Sequence, residues 1–404
     1  MKQGWEIKRL QDAVEFQRGL TYSKKDEVDF SDNIVLRSNN VDLIKNELDF
    51  TELKYINPAI EVQESKKVKK GSLLICTANG SKNHLGKVAL IDDDYNYAFG
   101  GFMGQVTPKE KLDSKFLFYL MTSDNYKKFI NELSDGANIN NLKFSDLGQF
   151  EIPLPPLSEQ QRIVSILDEC FSAIDKVKGI AEQNLKNAKE VFESYLQGVF
   201  GFQNENWEIK CLDELGTITS SKRIYKSEYV KDGVPFYRTK EIKELSNGKP
   251  ISLELFISRE RYEEIKLTFG VPKIGDLLMS AVGTIGEIMV IENEDEFYFK
   301  DGNIVWFKDF GKLDTNYLKY ALTAFVEKIK SLAIGAAYSA LTIEKLNKYK
   351  IAFPKTIIEQ QTIVRQLDAL RAETQKLEAV YQKKQDDLEE LKKSMLRKAF
   401  AGEL

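Results

Sequence analysis

The chain repeats itself, and the length of the repeat limits what it can fold into. Trp5-Glu6-Ile7-Lys8 returns about 200 residues later as Trp207-Glu208-Ile209-Lys210. Glu159-Gln160-Gln161, with Ile163-Val164, returns at the same spacing as Glu359-Gln360-Gln361, with Ile363-Val364. Solenoid repeats run about 20–50 residues, so a unit this long is a domain plus the helix that follows it. Two similar binding modules therefore lie head to tail in 404 residues. The copies diverge in their polar loops, so each is expected to read something different.

Within each copy, short strand and helix patterns are broken by Gly, Asn and Asp. Gly71-Ser72-Leu73-Leu74-Ile75-Cys76 and Lys87-Val88-Ala89-Leu90-Ile91 read as strands, matched by Gly275 to Ser280 and Glu287 to Ile291. A polar turn separates each pair, Thr77 to Gly86 and Ala281 to Gly286. Helical segments at Leu112 to Thr122 and Leu313 to Thr323 also match.

Each copy ends in a long helix. Pro153-Leu154-Pro155-Pro156 forces an extended approach to the first. Ser158 is suited to cap it, with Gln161 completing a capping box; Thr356 and Glu359 can do the same after Pro354. Apolar residues recur at heptad-like spacing through Ile163, Leu167, Cys170, Ile174, Val177, Ala181, Ala188, Val191 and Tyr195. The partner series is Ile363, Leu367, Leu370, Leu377, Tyr381, Leu388, Leu391 and Met395. Two matched stripes predict that the helices pair with each other. Asn184 and Lys384 fall on the seam, where polar residues fix register at a cost in stability. Gly179 and Gly198 weaken the first helix.

Composition narrows the function. Lys and Arg number 58, Asp and Glu 62, for a net charge of −4, which argues against indiscriminate coating of nucleic acid but not against a local basic face. With a single histidine, His84, histidine-based metal or acid–base chemistry is not expected. Cys76, Cys170 and Cys211 show no metal-ligand or disulfide spacing, which suits a reducing cytoplasm. The opening Met1 to Trp5 is polar, and no stretch approaches the roughly 20 apolar residues of a membrane span. The expectation is a cytoplasmic protein without a metal site.

The chain resembles the specificity subunit of type I restriction–modification systems. The residues that carry the resemblance are the junction Ile152-Pro153-Leu154-Pro155-Pro156-Leu157-Ser158-Glu159-Gln160-Gln161-Arg162-Ile163-Val164 and its weaker copy, Ile351 to Pro354 with Glu359 to Gln361. Gly4-Trp5, Val234 to Lys240, Ser280 to Gly286 and Met395 to Leu404 add to it. The second junction departs from the pattern at Ala352 and Lys355-Thr356. The resemblance implies an α/β (α+β) fold with two mixed target-recognition domains, over 1–157 and 202–357. They are separated by spacer helices over 158–201 and 358–404 that form an antiparallel, pseudo-two-fold coiled coil. It further implies that each domain reads half of a split DNA site while the helices set the gap. The implied partners are double-stranded DNA, two methyltransferase subunits and translocase–endonuclease subunits. No cofactor is expected in this chain; S-adenosylmethionine, ATP and Mg would sit on those partners.

Base edges are read by paired donors and acceptors: Arg and Lys suit guanine, Asn and Gln suit adenine. Loops on a rigid core are the expected carriers. In the first domain these are Arg37, Asn39 and Asn40; Thr77, Asn79, Ser81, Lys82, Asn83 and His84; and Asn138 and Asn140. In the second they are Lys222, Arg223, Tyr225 and Lys226; Tyr237, Arg238 and Lys240; Ser280 and Thr284; and Tyr338 and Ser339. The bland reading is that Asn-Gly and Gly-Thr turns are only turns, and that Lys222-Arg223 is a solvated surface. His84 is better suited to a phosphate or a loop than to a metal.

No catalytic residue is expected. The chain has neither a phosphate loop nor a Gly-x-Gly-x-x-Gly turn. Asn57-Pro58-Ala59-Ile60 lacks the second proline and the aromatic of an amino-methyltransferase motif and reads as a turn. The alternatives are a specificity subunit of another split-site restriction system and a coiled-coil scaffold that binds no DNA.

Overall fold

The computed structural model describes residues 4–135, 141–201, 206–332 and 341–404. The chain divides into two compact units, Met1–Glu182 with Lys383–Leu404, and Gln183–Gln382. The division does not follow the order of the chain. Each unit holds one globular domain, the near part of one long helix and the far part of the other. Among the described residues, no helix is long and apolar enough to cross a membrane.

The two units share one plan. In the first, strands Val14–Arg18, Met103–Pro108, Leu73–Cys76 and Val88–Leu90 lie side by side in that order. In the second, Thr217–Thr219, Ile304–Lys308, Leu277–Ser280 and Ile288–Val290 repeat the arrangement. A smaller sheet accompanies each. Its one parallel pairing sets Ile34–Leu36 beside Ala98–Phe99, and Val234–Tyr237 beside Tyr298–Phe299. A two-stranded ribbon closes each domain, Glu6–Arg9 against Glu151–Leu154 and Trp207–Cys211 against Lys350–Pro354. Two pieces of the signature, the Trp-led opening and the proline junction, are thus strand partners. Proline is tolerated there because a two-stranded ribbon has only edges.

Leu73, Ile75 and Val106 face the helices over the larger sheet and join one core with Phe116, Leu117 and Leu120. Leu277, Met279 and Phe307 do the same with Tyr317, Leu318 and Leu322. Gly86 (φ +75°) and Gly286 (φ +90°) close equivalent turns in the left-handed region. A Cβ there would collide with Ile130 in one unit and Val326 in the other, so glycine is needed for both conformation and space. The matched helices differ in length. Thr315–Leu332 is continuous, whereas its counterpart breaks into Ser114–Leu120 and Asp124–Asp135. Ser123 explains the break. Its hydroxyl donates to Leu120 O (2.7 Å) and accepts from Tyr126 N (3.3 Å), starting a new helix where Ala324 simply continues one.

The Glu-Gln-Gln signature joins each domain to its long helix. Gln160 is fully buried. Its carbonyl accepts from Asp113 N (2.8 Å), and its amide donates to Lys111 O (2.9 Å) and Pro155 O (2.8 Å). Gln360 repeats this with Asp314 N (2.7 Å), Lys312 O (3.2 Å) and Pro354 O (2.9 Å). Asp113 and Asp314 in turn cap the following helices through Phe116 N (3.0 Å) and Tyr317 N (3.1 Å). Tyr119 donates to Asp168 and Tyr320 to Asp368, each at 2.5 Å, as a second tie.

The long helices run Leu157–Gly201 and Ile357–Ala401. The first starts one residue before the expected cap. Pro156 O accepts from Glu159 N (2.9 Å), so the Ser158–Gln161 box does not form. Thr356 does cap the second, accepting from Glu359 N (3.3 Å). The helices pair antiparallel within each unit. In the first, Lys178 meets Glu389 and Asp175 meets Lys392, both at 2.5 Å, and Arg162 meets Leu404 O at 2.6 Å. In the second, Phe192 and Leu196 pack on Leu367 and Leu370, and the Arg371 guanidinium lies 4.9 Å from the Phe192 ring. The expected stripe needs correction in places. Phe192 and Leu196 are buried where Val191 and Tyr195 were expected, and Leu377, Leu391 and Lys384 are exposed.

Replacing Gln160 or Gln360 by Ala leaves a buried N–H and two carbonyls short of partners. With about 1–3 kcal/mol for each buried group left unpaired, we expect a loss of about 2–4 kcal/mol. Urea unfolding measures it, and a loss below about 0.5 kcal/mol, within the scatter of a neutral surface change, would mean that the brace is idle.

Candidate nucleic-acid interface

In the first unit, the loops after four strands converge. Leu20 to Tyr22 follow Val14–Arg18, Arg37 to Asn39 follow Ile34–Leu36, Ala78 to Gly80 follow Leu73–Cys76, and Gly100 to Met103 follow Ala98–Phe99. They enclose a groove of about 780 Å³ that Lys24 and Glu27 also line. Backbone pairing holds the loops in place: Leu20 N donates to Phe99 O (2.7 Å), Gly100 N to Leu36 O (2.9 Å) and Thr77 N to Phe102 O (2.9 Å). Gly19 is required here, because a Cβ would run into the Gly100 carbonyl.

The groove gathers only part of the expected set. Arg37, Asn39 and Asn79 line it. The Asn79 amide donates to Ser38 Oγ (2.6 Å) and its carbonyl accepts from Ser81 N (2.9 Å), so the residue also shapes its own turn. Asn39 donates to Glu52 O (3.2 Å) from an exposed position. Arg37 is half-buried, its Nε is buried without a hydrogen-bond partner, and it makes no ion pair among the described residues. Ser81, Lys82 and Asn83 are exposed beyond the groove, and His84 is half-buried with an unpartnered Nδ1. Lys82 reaches Ser134 O at 3.4 Å.

Two residues are corrected to structural roles. Asn40 is fully buried, donating to Asp49 O (2.8 Å) and Glu52 O (2.9 Å) and accepting from Arg37 N (2.9 Å). Thr77 is nearly buried, its hydroxyl donating to Phe102 O (2.9 Å). Asn40 has no donor left for a base; the Thr77 oxygen can still accept, and Thr77 lines a small cleft with Arg18 and Phe144. Asn138 and Asn140 lie outside the described residues, next to Asn141, which pairs with Ala78.

The second unit treats the same places differently. Ser280 is fully buried, donating to Thr284 O (2.5 Å) and accepting from Glu287 N (2.9 Å). Tyr237 is a core residue stacked on Phe297, with ring centroids 4.5 Å apart. Both are corrected from readers to supports. Arg238 is also engaged: its guanidinium donates to Glu241 (2.7 Å) and Glu254 (2.8 Å), and Lys240 donates to Glu254 (2.7 Å). The two cations pull the Glu254 carboxyl down to about 2, Lys240 contributing most. Arg238 therefore offers no free fork, contrary to expectation. Arg223 is held by Asp301 (2.8 Å), and the Lys222 ammonium sits 4.5 Å from the Phe269 ring. Tyr225, Lys226 and Thr284 are exposed. Tyr338 and Ser339 lie outside the described residues.

Sequence reasoning missed Thr21, Tyr22, Lys24 and Phe102. Phe102, 73 % exposed, separates the large groove from a smaller cleft lined by Arg18, Asn141 and Phe144. An aromatic directly after Gly100-Gly101, in a turn between strands, was the signal. Lys54 bonds the Glu27 carboxylate and holds its pKa below the usual range. Burial raises the Tyr22 hydroxyl despite the Arg37 charge. The second unit replaces Gly100-Gly101-Phe102 with Lys300-Asp301-Gly302, so the bare backbone and the aromatic rim of this groove are not repeated there.

Asn57-Pro58-Ala59-Ile60 forms a turn, with Asn57 Oδ1 accepting from Ala59 N at 2.9 Å. Cys211, Asp213 and Glu214 lie close together, but Glu214 is occupied in accepting from Cys211 N (2.8 Å).

The chain is similar to known proteins over its full length. It is 31% identical to a putative type I restriction enzyme specificity subunit of Haemophilus influenzae, over 70% of this chain and 72% of that one. It is 26% identical to the EcoKI specificity subunit of Escherichia coli K12, over 100% and 90%. Among solved structures, a chain from work on complex assembly and conformational transition of the type I R-M system superposes with a TM-score of 0.81. It is 20% identical, with 100% and 99% covered. The HsdS subunit from Thermoanaerobacter tengcongensis gives 0.60 at 19% identity, over 100% and 98%. These two likenesses establish the fold. The family model described as the type I restriction modification DNA specificity domain matches residues 2–184 and again 204–386. The chain belongs to the type I restriction–modification DNA specificity family and carries two of its DNA-recognition domains.

Proposed function

We propose that each recognition domain reads one half of a split DNA sequence and that the two long helices set the unread gap. The observation that carries this reading is one scaffold built twice with opposite loop chemistry. The first unit has an open groove with an unpaired Arg37; the second has Arg223, Arg238 and Lys240 held by carboxylates. Two readers of one design but different chemistry fit a two-part, asymmetric site better than they fit a protein scaffold. The chain itself performs no catalysis. It binds double-stranded DNA and docks two methyltransferase subunits, which translocase–endonuclease subunits join for cleavage. S-adenosylmethionine, ATP and Mg belong to those partners. In this reading the protein works in the cytoplasm.

Methylation mapping with the methyltransferase present tests the reading: the modified sequence should be bipartite. A continuous site, or methyl transfer by the isolated chain, would defeat it. Inserting four residues near Gly179 and four near Ala379 should lengthen the helix pair by about 6 Å, close to two base pairs at about 3.4 Å per step. Both specific halves should persist with a wider gap. An unchanged gap in an active complex would remove the ruler.

A second expectation concerns residues 1–201 alone. The first unit requires Leu396 and Ala399 in its core, and residues 183–201 are the first helix's counterpart of 383–401. A second copy can supply that stretch, so the fragment should dimerise, since an apolar stripe this long does not stay exposed in water. With methyltransferase it should modify an inverted repeat of the first half-site. Light scattering and genome-wide methylation mapping check this together; a folded monomer, or marking of the original asymmetric site, contradicts it.

A further inference from the structure

Arg37 and Arg238 hold the same place in the two recognition domains. Each directly follows the strand that pairs in parallel, and each has its backbone N–H taken by the side chain three residues on. In the second domain that side chain is Glu241, nearly buried, whose carboxylate also takes the guanidinium. In the first it is Asn40, a neutral amide whose donors face Asp49 O and Glu52 O. Glu241 in place of Asn40, together with Glu254, therefore clamps one arginine, while the other is left open. Arg37 then carries a buried Nε–H with no acceptor on the wall of the groove. Its terminal nitrogens have no protein partner either and, unlike Nε, are not buried, so they stay available to a partner that arrives from outside.

We propose that Arg37 reads a guanine in the half-site of the first domain, and that Arg238 is a structural strut that reads nothing. This rests on the DNA-reading function proposed above and adds a base and a residue to it. The two terminal nitrogens of Arg37, which have no protein partner and are not buried, form a two-pronged donor that matches guanine N7 and O6. A backbone phosphate also accepts such a fork, but the groove does not suit one. The Glu27 carboxylate lines the same cavity and offsets the charge of Lys24 there, and the polar side chains of Ser38, Asn39 and Asn79 are neutral. A carboxylate repels a phosphate, whereas it can accept from the cytosine amino group paired with that guanine. Gly100 and Gly101 put bare backbone on the groove lining beside Arg37, which leaves room for a base edge. Phe102 stands exposed at the rim, where an apolar side chain can pack against a thymine methyl or the sugar.

The test uses the full chain assembled with its methyltransferase and maps methylated sequences for wild type, R37A, R37K and R238K. The wild-type site should contain a guanine–cytosine pair in one half. R37A should make that one position degenerate, with discrimination falling tenfold or more and the other half-site unchanged. R37K keeps the charge and the stem and guards against misfolding. It should retain partial preference, because an ammonium reaches the same acceptors without the fork. R238K should leave both halves as they are. Three outcomes overturn the proposal: a wild-type site with no such pair in either half, R37A weakening every sequence equally as loss of a phosphate contact does, or R238K shifting base preference in the second half. Failure of the wider reading looks different, since the wild-type site would then not be bipartite at all.

Discussion

Each half of this protein depends on a buried glutamine amide. Gln160 and Gln360 sit at the start of a long helix, at the end of a strand ribbon and beside the loop that opens the next helix. An amide presents a donor and an acceptor on one rigid plane. No apolar residue could satisfy an N–H and two carbonyls at once, and a charged one would be buried without a countercharge. The tie makes the direction of the long helix a property of the domain that precedes it. Tyr119 with Asp168, and Tyr320 with Asp368, add a second fastening about two helical turns further along. The ruler proposed above would need stiff joints as much as a stiff rod, and these side chains would supply them.

On this shared frame the domains differ through charge. The second surrounds its cations with acids of its own, as Arg259 with Glu296 and Arg261 with Glu228 show again. Exposed ion pairs of this sort are weak and can exchange partners with little loss. The acidic total of the chain and its membership in a DNA-binding family are thereby compatible: the basic groups are present, and many are already neutralised locally.

Much of the fold was legible because repetition exposes what each copy must preserve. The matched strands, the two long helices and Gly86 with Gly286 are backbone requirements, and these leave sequence signals. The places where sequence reading failed share a cause. Asn40 and Ser280 look like surface readers in sequence, since polar residues in loops usually face water. Only contacts far along the chain reveal them as fully bonded supports. The Ser123 break and the shift from Val191 and Tyr195 to Phe192 and Leu196 are local choices settled by packing, to which periodicity alone is blind. Asn79 stayed in the groove, but its neighbours Tyr22 and Phe102 come from other loops and share no sequence pattern with it.

The first unit is completed by the last residues of the chain. Leu396 and Ala399 are part of its core, and the Phe400 ring meets Phe116 edge-on with centroids 5.5 Å apart. A ribosome builds from the N-terminus, so this domain waits with an open seam while the whole of the second is made. Contacts that span so much chain slow folding and lengthen the time an apolar edge stays bare. The order of maturation is therefore the reverse of the order of synthesis: the second domain can close on itself as it emerges, and the first becomes whole only after Leu396 to Phe400 have been made. A stop codon just before Leu396 would spare the reader it lies next to in sequence and damage the one encoded first.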